Sequence, residues 1–285
     1  MRQSPYFSIP RATSTVLLLG LLALLPGCID PGQRAQMARS DSILAPALSQ
    51  PTVRDAAAWA TDPFDPDKRA RGTSILANAP FGGADAYLAL YREYVKDPSP
   101  GVRLSAARGL GMHGSPNDVA LVIPLLKDAE RSVRLEALKS LQRLHNPIAI
   151  DPLIEQTKID KEAEPDVRAE AASSLGQYAQ TKVLEALITA LADDQLVVSK
   201  NALASLQTLT GNETLSDDRK AWQNWAKDNK TPFANRRPYF YPAFNRDSVW
   251  TDYIPIIGGP PPNEQAAQPA GMPSIAGADE PEPKP

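Results

Sequence analysis

The run Val102-Arg103-Leu104-Ser105-Ala106-Ala107-Arg108-Gly109-Leu110-Gly111 decides the fold, because it returns. Val133-Arg134 opens a second copy, Val167-Arg168 a third and Val198-Ser199 a fourth, at steps of 31, 34 and 31 residues. Four positions after each valine stands an alanine: Ala106, Ala137, Ala171 and Ala202. Four positions further stands a leucine: Leu110, Leu141, Leu175 and Leu206. A period between about 20 and 50 residues marks stacked repeats. The i, i+4, i+8 spacing puts valine, alanine and leucine on one face of a helix. The alanine in the middle lets a neighbouring helix approach closely. A bulkier residue there would overpack the contact, at about 1–3 kcal/mol.

Each copy needs a partner helix, and apolar periodicity supplies one at residues 118–126, 148–157 and 183–191. Pro147 suits the start of the second of these. Pro124 lies inside the first and should bend it or remove a hydrogen bond. An acid closes each turn between helices: Asp97, Asp128, and Asp193 with Asp194. The third copy spends its three extra residues in this turn, at 160–166. Gly111 and Gly176 suit a left-handed helix end, whereas Gln142 and Gln207 at the same register should let the helix run on. Lys68-Arg69 and Leu76 sit 34 residues before Val102-Arg103 and Leu110, so an earlier pair is expected, with helices at 52–60 and around Leu76. Residues 84–96 then give the first helix of the Val102 copy. The expectation is an all-α, right-handed α-solenoid of about five antiparallel helix pairs over residues 51–211, with disordered N- and C-terminal segments.

The pattern Asp…Val-Arg-x-x-Ala-x-x-x-Leu-Gly resembles bacterial HEAT repeats of the phycobiliprotein-lyase-like class. Leu209-Thr210-Gly211 followed by Trp222 and Trp225 is similar to the ending of many such proteins, where a Trp-x-x-Trp helix seals the last repeat. The resemblance spans roughly residues 51–228 and places a capping helix within 212–230. It implies a HEAT-like, armadillo-type superhelix. It also implies that Arg103, Arg134 and Arg168 link neighbouring repeats, with Asp97, Asp128 and Asp193 as acceptors. Ser199 departs from the pattern and leaves the last link open. Solenoids of this class bind other proteins along a concave face lined by the second helices. The positions expected there are Arg108 and Met112, then Glu136, Lys139 and Arg143, then Glu170 and Gln177. Ser105, Ser173, Asn201, Ala204 and Thr208 extend the same stripe.

The N-terminus reads as an export signal. Arg2 and Arg11 precede an apolar stretch at 16–25. That is shorter than the roughly 20 residues a bilayer span needs and fits a secretory leader over residues 1–27. Leu25-Pro26-Gly27-Cys28 resembles a bacterial lipobox, with Pro26 departing from its usual small residue. The resemblance implies a lipidated Cys28 at the mature N-terminus, a tether at 28–50 and an exported, membrane-anchored lipoprotein. Ile29 after the cysteine favours the outer membrane in enterobacteria-like sorting. Cys28 is the single cysteine, so no intramolecular disulfide can form. The full chain carries a net charge of −3, and losing Arg2 and Arg11 with the leader makes it −5. An acidic exported protein is poorly suited to phosphate contacts, which argues against nucleic acid as a partner.

After Lys230 the composition changes. Twelve of the 28 prolines lie in residues 232–285. Seven of the 18 aromatics, namely Phe233, Tyr239, Phe240, Tyr241, Phe244, Trp250 and Tyr253, lie in the segment 231–257. Disordered tails are poor in aromatics, so this segment either packs back on the solenoid or anchors another protein. Residues 258–285 read as disordered. Catalytic material is sparse. His113 and His145 are expected in equivalent surface turns. Asp62, Asp65 and Asp67 lack the glycine and terminal glutamate of a calcium loop. No metal-ligand spacing or phosphate-binding glycine loop is present. The expectation is a monomeric, noncatalytic scaffold without cofactor or metal that binds another protein. The alternatives are a helper resembling the bilin lyases and a purely structural envelope component.

Overall fold

The computed structural model describes residues 51–242 and 266–273. The expected leader, Cys28, the tether, Phe244, Trp250, Tyr253 and most of the tail lie outside these residues. Five antiparallel helix pairs follow one another: α1 (Val53–Ala60) with α2 (Pro66–Ala77), α3 (Asp85–Tyr94) with α4 (Pro100–His113), α5 (Val119–Val122) with α6 (Arg131–Arg143), α7 (Ile150–Gln156) with α8 (Pro165–Leu175), and α9 (Thr181–Ala190) with α10 (Leu196–Thr210). A final helix, α11 (Arg219–Asp228), closes the series. The second helices α2, α4, α6, α8 and α10 pack consecutively on one another. The chain is an all-α solenoid of stacked helix pairs.

Local chemistry sets the helix starts. Thr52 and Asp55 form a reciprocal capping box at α1. Asp65 accepts the backbone N–H groups of Asp67 and Lys68 at the start of α2, with Pro66 at the first helical position. Asp62 accepts from Phe64 and Asp65 in the turn before it. Asp62 and Asp65 are therefore turn and cap residues, and Asp67 lies in the first turn of α2. Pro124 acts as its ring requires. The α-helical path stops at Val122, and the chain continues as a 3-10 turn over Ile123–Lys127. Pro147 likewise opens a 3-10 turn, Pro147–Ala149, ahead of α7.

All twelve valine, alanine and leucine positions of the repeat are 0% exposed. Each buried valine or leucine contributes about 1.5–3 kcal/mol, so this stripe is the continuous core. Gly111 and Gly176 depart from the expected left-handed ends. Gly111 lies inside α4, and a Cβ on it would come within 2.7 Å of Ser140 on the next second helix. Gly176 is right-handed and sits against Ser205 and Tyr239. Both glycines serve close helix approach. The left-handed cap belongs to Gly211 after α10, with φ 68°.

A ladder of arginine–carboxylate pairs runs along the turns. Arg103 makes a two-pronged contact to Asp128 at 2.6 and 2.8 Å, and Arg168 does the same to Asp193 at 2.8 and 3.1 Å. Arg134 pairs with Glu162 at 2.7 and 3.0 Å, and Arg69 with Asp97 at 3.3 and 3.4 Å. Each arginine thus reaches the turn acid one repeat ahead. Its remaining nitrogen donates to carbonyls of its own turn, such as Asp97 and Pro98 for Arg103 or Glu162 and Ala163 for Arg168. Each acid also accepts the backbone N–H two residues on, at Ser99, Glu130, Glu164 and Gln195. Repeat n is therefore tied to repeat n+1 through a group that also fixes the entry of its second helix. Sequence reasoning placed the arginines but missed Arg69 and Glu162, because Glu162 lies in the lengthened turn and is not an aspartate. Ser199 ends the ladder, its hydroxyl donating to Leu196 within its own helix.

Arg168 is 1% exposed and Asp193 5%, so the last rung is desolvated. Burial alone would push Asp128 and Asp193 upward. Hydrogen bonds from the arginines and from the N–H groups outweigh it and hold both carboxyls below the usual carboxylate range. A folded pKa below the unfolded value of about 3.9 contributes stability above that pH. The contribution is lost as pH falls through the folded pKa. Arg168→Ala leaves Asp193 buried without its cation and is expected to cost about 3–5 kcal/mol, read by urea unfolding. Asp193→Asn should make the stability loss below about pH 4 shallower than in the parent chain; an unchanged acid profile would contradict this role.

Candidate interaction surface

The second-helix layer carries the positions expected to face a partner, and the structure splits them. Arg108 and Met112 on α4 are half-buried. Arg108 donates to Asn78 at 2.7 Å and reaches Glu136 at 3.4 Å. Lys139 is half-buried too. Glu136, Arg143 and Gln177 are buried, which corrects the expectation that they form an open stripe. Gln177 donates to the carbonyl of Leu141 on the preceding second helix and to Ser174, while its oxygen faces His145 at 3.0 Å. Glu170 accepts from Gln142 at 2.5 Å, and burial raises its carboxyl above the usual range.

The chain's own C-terminal segment lies on this layer and covers Arg143. After α11, residues 231–242 double back along the C-terminal ends of the second helices. Asn235 packs on Gly211, and Arg237 N–H donates to Thr208 at the end of α10. Tyr239 then enters a slot between α8 and α6. Its hydroxyl donates toward the carbonyl of Ser173 at 3.0 Å and lies 3.2 Å from Gln142 Oε1. Its side chain is shut off from water, which raises the phenol well above its usual pKa. The Gly176 gap exists for this ring: a Cβ there would meet Tyr239 at 3.1 Å. Tyr241 follows, with the Arg143 guanidinium 5.8 Å from its ring centre. Phe233 packs on the edge of the core. Of the two readings of the aromatic segment, packing on the solenoid describes residues 231–242.

Residues 266–273 join the same surface, where sequence composition led to disorder. Tyr241 N–H donates to Ala267 O at 3.0 Å, Ala270 N–H to Arg143 O at 2.7 Å, and His145 N–H to Ala270 O at 2.8 Å. The order comes from backbone pairing, which composition cannot signal.

Neither histidine lies free in a surface turn. His113 Nε2 is 2.9 Å from the carbonyl of Ala77. His145 stacks on Tyr178 with ring centres 4.8 Å apart. Burial lowers the His145 pKa, the Gln177 hydrogen bond opposes that, and Arg236 on the returning segment lowers it further. Sequence reasoning also missed a serine ladder. Ser140, Ser174 and Ser205 each stand seven positions after the repeat valine and reach a carbonyl of the preceding second helix, at Ala107, Leu138 and Ala172. The recurrence of a small hydroxyl at that register was a readable signal. The cap helix buries Trp222 completely, its indole N–H donating to Ser216 O at 2.8 Å, with Trp225 packed edge-on at 5.6 Å. Asp218 caps this helix by accepting from Lys220 and Ala221.

The family described as HEAT repeats matches residues 57–142 and 88–164. The PBS lyase HEAT-like repeat matches residues 167–193. Among solved structures, the chain is similar to a designed armadillo repeat protein at 16% identity, covering 65% of this chain and 96% of that one, with a TM-score of 0.46. It is also similar to YibA of Escherichia coli at 18% identity, covering 79% of this chain and 90% of that one, with a TM-score of 0.45. None of the curated proteins matches.

Tyr239→Ala is expected to release residues 231–242 while leaving the helices intact. Tryptic cleavage after Arg236 should accelerate with little change in helical circular dichroism. Tyr239→Phe removes only the hydroxyl and should cost about 0.5–1.5 kcal/mol. Equal cleavage rates in Tyr239→Ala and parent chains would show that the segment is not held by this ring.

Proposed function

We propose that this protein is a noncatalytic scaffold that holds another protein at a bacterial cell envelope, tethered there by a lipid on Cys28. The observation that carries the reading is the continuous second-helix layer built by the five stacked pairs. HEAT and armadillo-type layers of this kind are protein-interaction surfaces. The returning segment covers the part of the layer formed by α6, α8 and α10. The part formed by α2 and α4 carries Arg71, Asn78, Arg108 and Met112 exposed or half-buried. Arg71 lies over the Trp59 ring at 4.8 Å, so an aromatic and a cation are already paired at this end. Such mixed aromatic and basic surfaces are frequent anchors for protein partners. The employment of both histidines and of the repeat arginines in holding the fold agrees with a noncatalytic role. The lipid anchor rests on the lipobox resemblance at 25–28, since two or more acyl chains anchor a protein stably.

A second reading has one observation in its favour. Residues 167–193 match the PBS lyase HEAT-like repeat, which leaves a cofactor-attachment helper resembling the bilin lyases as the alternative. Crosslinking of the full chain in intact membranes, followed by mass spectrometry, separates the two. A discrete protein partner supports the scaffold. A bound small molecule with no protein partner overturns it. Cys28→Ser should move the protein from the membrane to the soluble fraction, and equal retention of both forms would remove the lipid anchor. Arg71→Glu with Arg108→Glu should abolish the crosslink, given an unchanged melting curve.

A further inference from the structure

Among the second helices, α6 ends differently. The residues after α2, α4, α8 and α10 turn an N–H back into their helix: Asn78, Gly114, Gly176 and Gly211. Leu144 after α6 is extended instead, with φ −119° and ψ 113°. The cause is local. No glycine is available, and Asn146 precedes Pro147, which drives it to extended backbone at φ −150° and ψ 123°. The turn therefore presents a short strand edge at Arg143–His145, whose carbonyl and N–H need partners from elsewhere.

Residues 266–273 supply those partners in the manner of a docked peptide. Ala270 pairs in parallel with Leu144, and Ala267 pairs antiparallel with Tyr241. Backbone hydrogen bonds carry the contact. Pro269 is buried, while Ala266, Gln268, Ala270, Gly271 and Pro273 are exposed. Gly271 has φ 81°, and a Cβ there would meet the Pro116 ring at 2.4 Å. The requirements are thus few: a proline to bury, a glycine two residues on and one small residue between them. This is strand addition with one side-chain pocket. The hold is light. Three backbone bonds and one buried side chain hold an eight-residue stretch.

We infer that the Arg143–His145 edge, with Tyr241 and the site that buries Pro269, is a docking site for an extended peptide of the form Ala-x-Pro-Ala-Gly. Residues 266–273 are its resident occupant, and a partner segment of the same chemistry displaces them. The inference deepens the scaffold reading by naming the partner's segment, and it rests on that reading for the partner. The site itself is tested without one.

The test uses the full chain and a fluorescein-labelled peptide copying residues 266–273. Ala270→Pro removes the N–H donated to Arg143 and frees the site. The Ala270→Pro chain should bind the peptide at least ~10²-fold more tightly than the parent, whose tethered copy competes at high effective concentration. His145 amide exchange should be slow in the parent and fast in the variant. Gly271→Ala in the chain should free the site in the same way, and Gly271→Ala in the peptide should abolish binding. Failure of both opened chains to bind the peptide, with parental circular dichroism, overturns the proposal. Equal binding of the Gly271→Ala peptide does so as well. His145 protection that rises with protein concentration would assign the edge to a second copy's tail and overturn residence within one chain. None of these failures touches the crosslinking result, which tests the scaffold itself.

Discussion

Close approach of consecutive second helices is the constraint on which everything else rests. Ala106, Ala137, Ala171 and Ala202 are fully buried, each between the valine and the leucine of its copy. Gly111 against Ser140 and the serine hydroxyls against carbonyls of the preceding helix show how little room the contact leaves. Once helices stand that close, the turns at their N-terminal ends come within reach of one another. Arg69, Arg103, Arg134 and Arg168 then bridge each turn to the next. The ladder follows from the stacking and in turn fixes the angle at which each second helix enters.

The same stacking creates the surface on the opposite helix ends. There the second helices finish in a row, and their last carbonyls need donors. Four of the five turn an N–H back into the helix, while α6 opens into an extended edge. The returning C-terminal segment uses that row: Arg237 donates to Thr208, Tyr239 fills the slot beside Gly176, and Ala270 pairs at Arg143. One end of the layer is thereby occupied by the chain itself, while Arg71 on α2 and Asn78 at its end are exposed and Arg108 and Met112 on α4 half-buried. A protein partner would meet these two regions under different conditions, one directly and the other only by displacing a segment already bound.

Much of this architecture could be read in advance. The period, the buried stripe and the helix pairs follow from residue type at fixed register, because helical geometry converts spacing into facing. The Trp222 cap and the arginine links were legible through the resemblance to HEAT repeats. The acceptors of those links were only partly so, since Glu162 sits in a turn whose extra residues break the register. The candidate surface was less legible. Arg143 and Gln177 occupy the same helical face as Arg108, and nothing in the helix itself distinguishes them. Arg143 is covered by Tyr241 and Ala270, far along the chain, and Gln177 is held against Leu141 and His145.

The sequence by itself determined an all-α repeat stack and its core, because a 3.6-residue helical period and a repeated valine, alanine and leucine admit few other packings. It also determined where the arginine links begin. Only the tertiary structure decided which repeat each arginine reaches, that Gly111 and Gly176 make room for neighbours, and that residues 231–242 and 266–273 lie on the second-helix ends. Those outcomes depend on backbone groups meeting across long separations in sequence. A backbone N–H is chemically the same in every non-proline residue, so its pairing leaves no mark on composition or spacing.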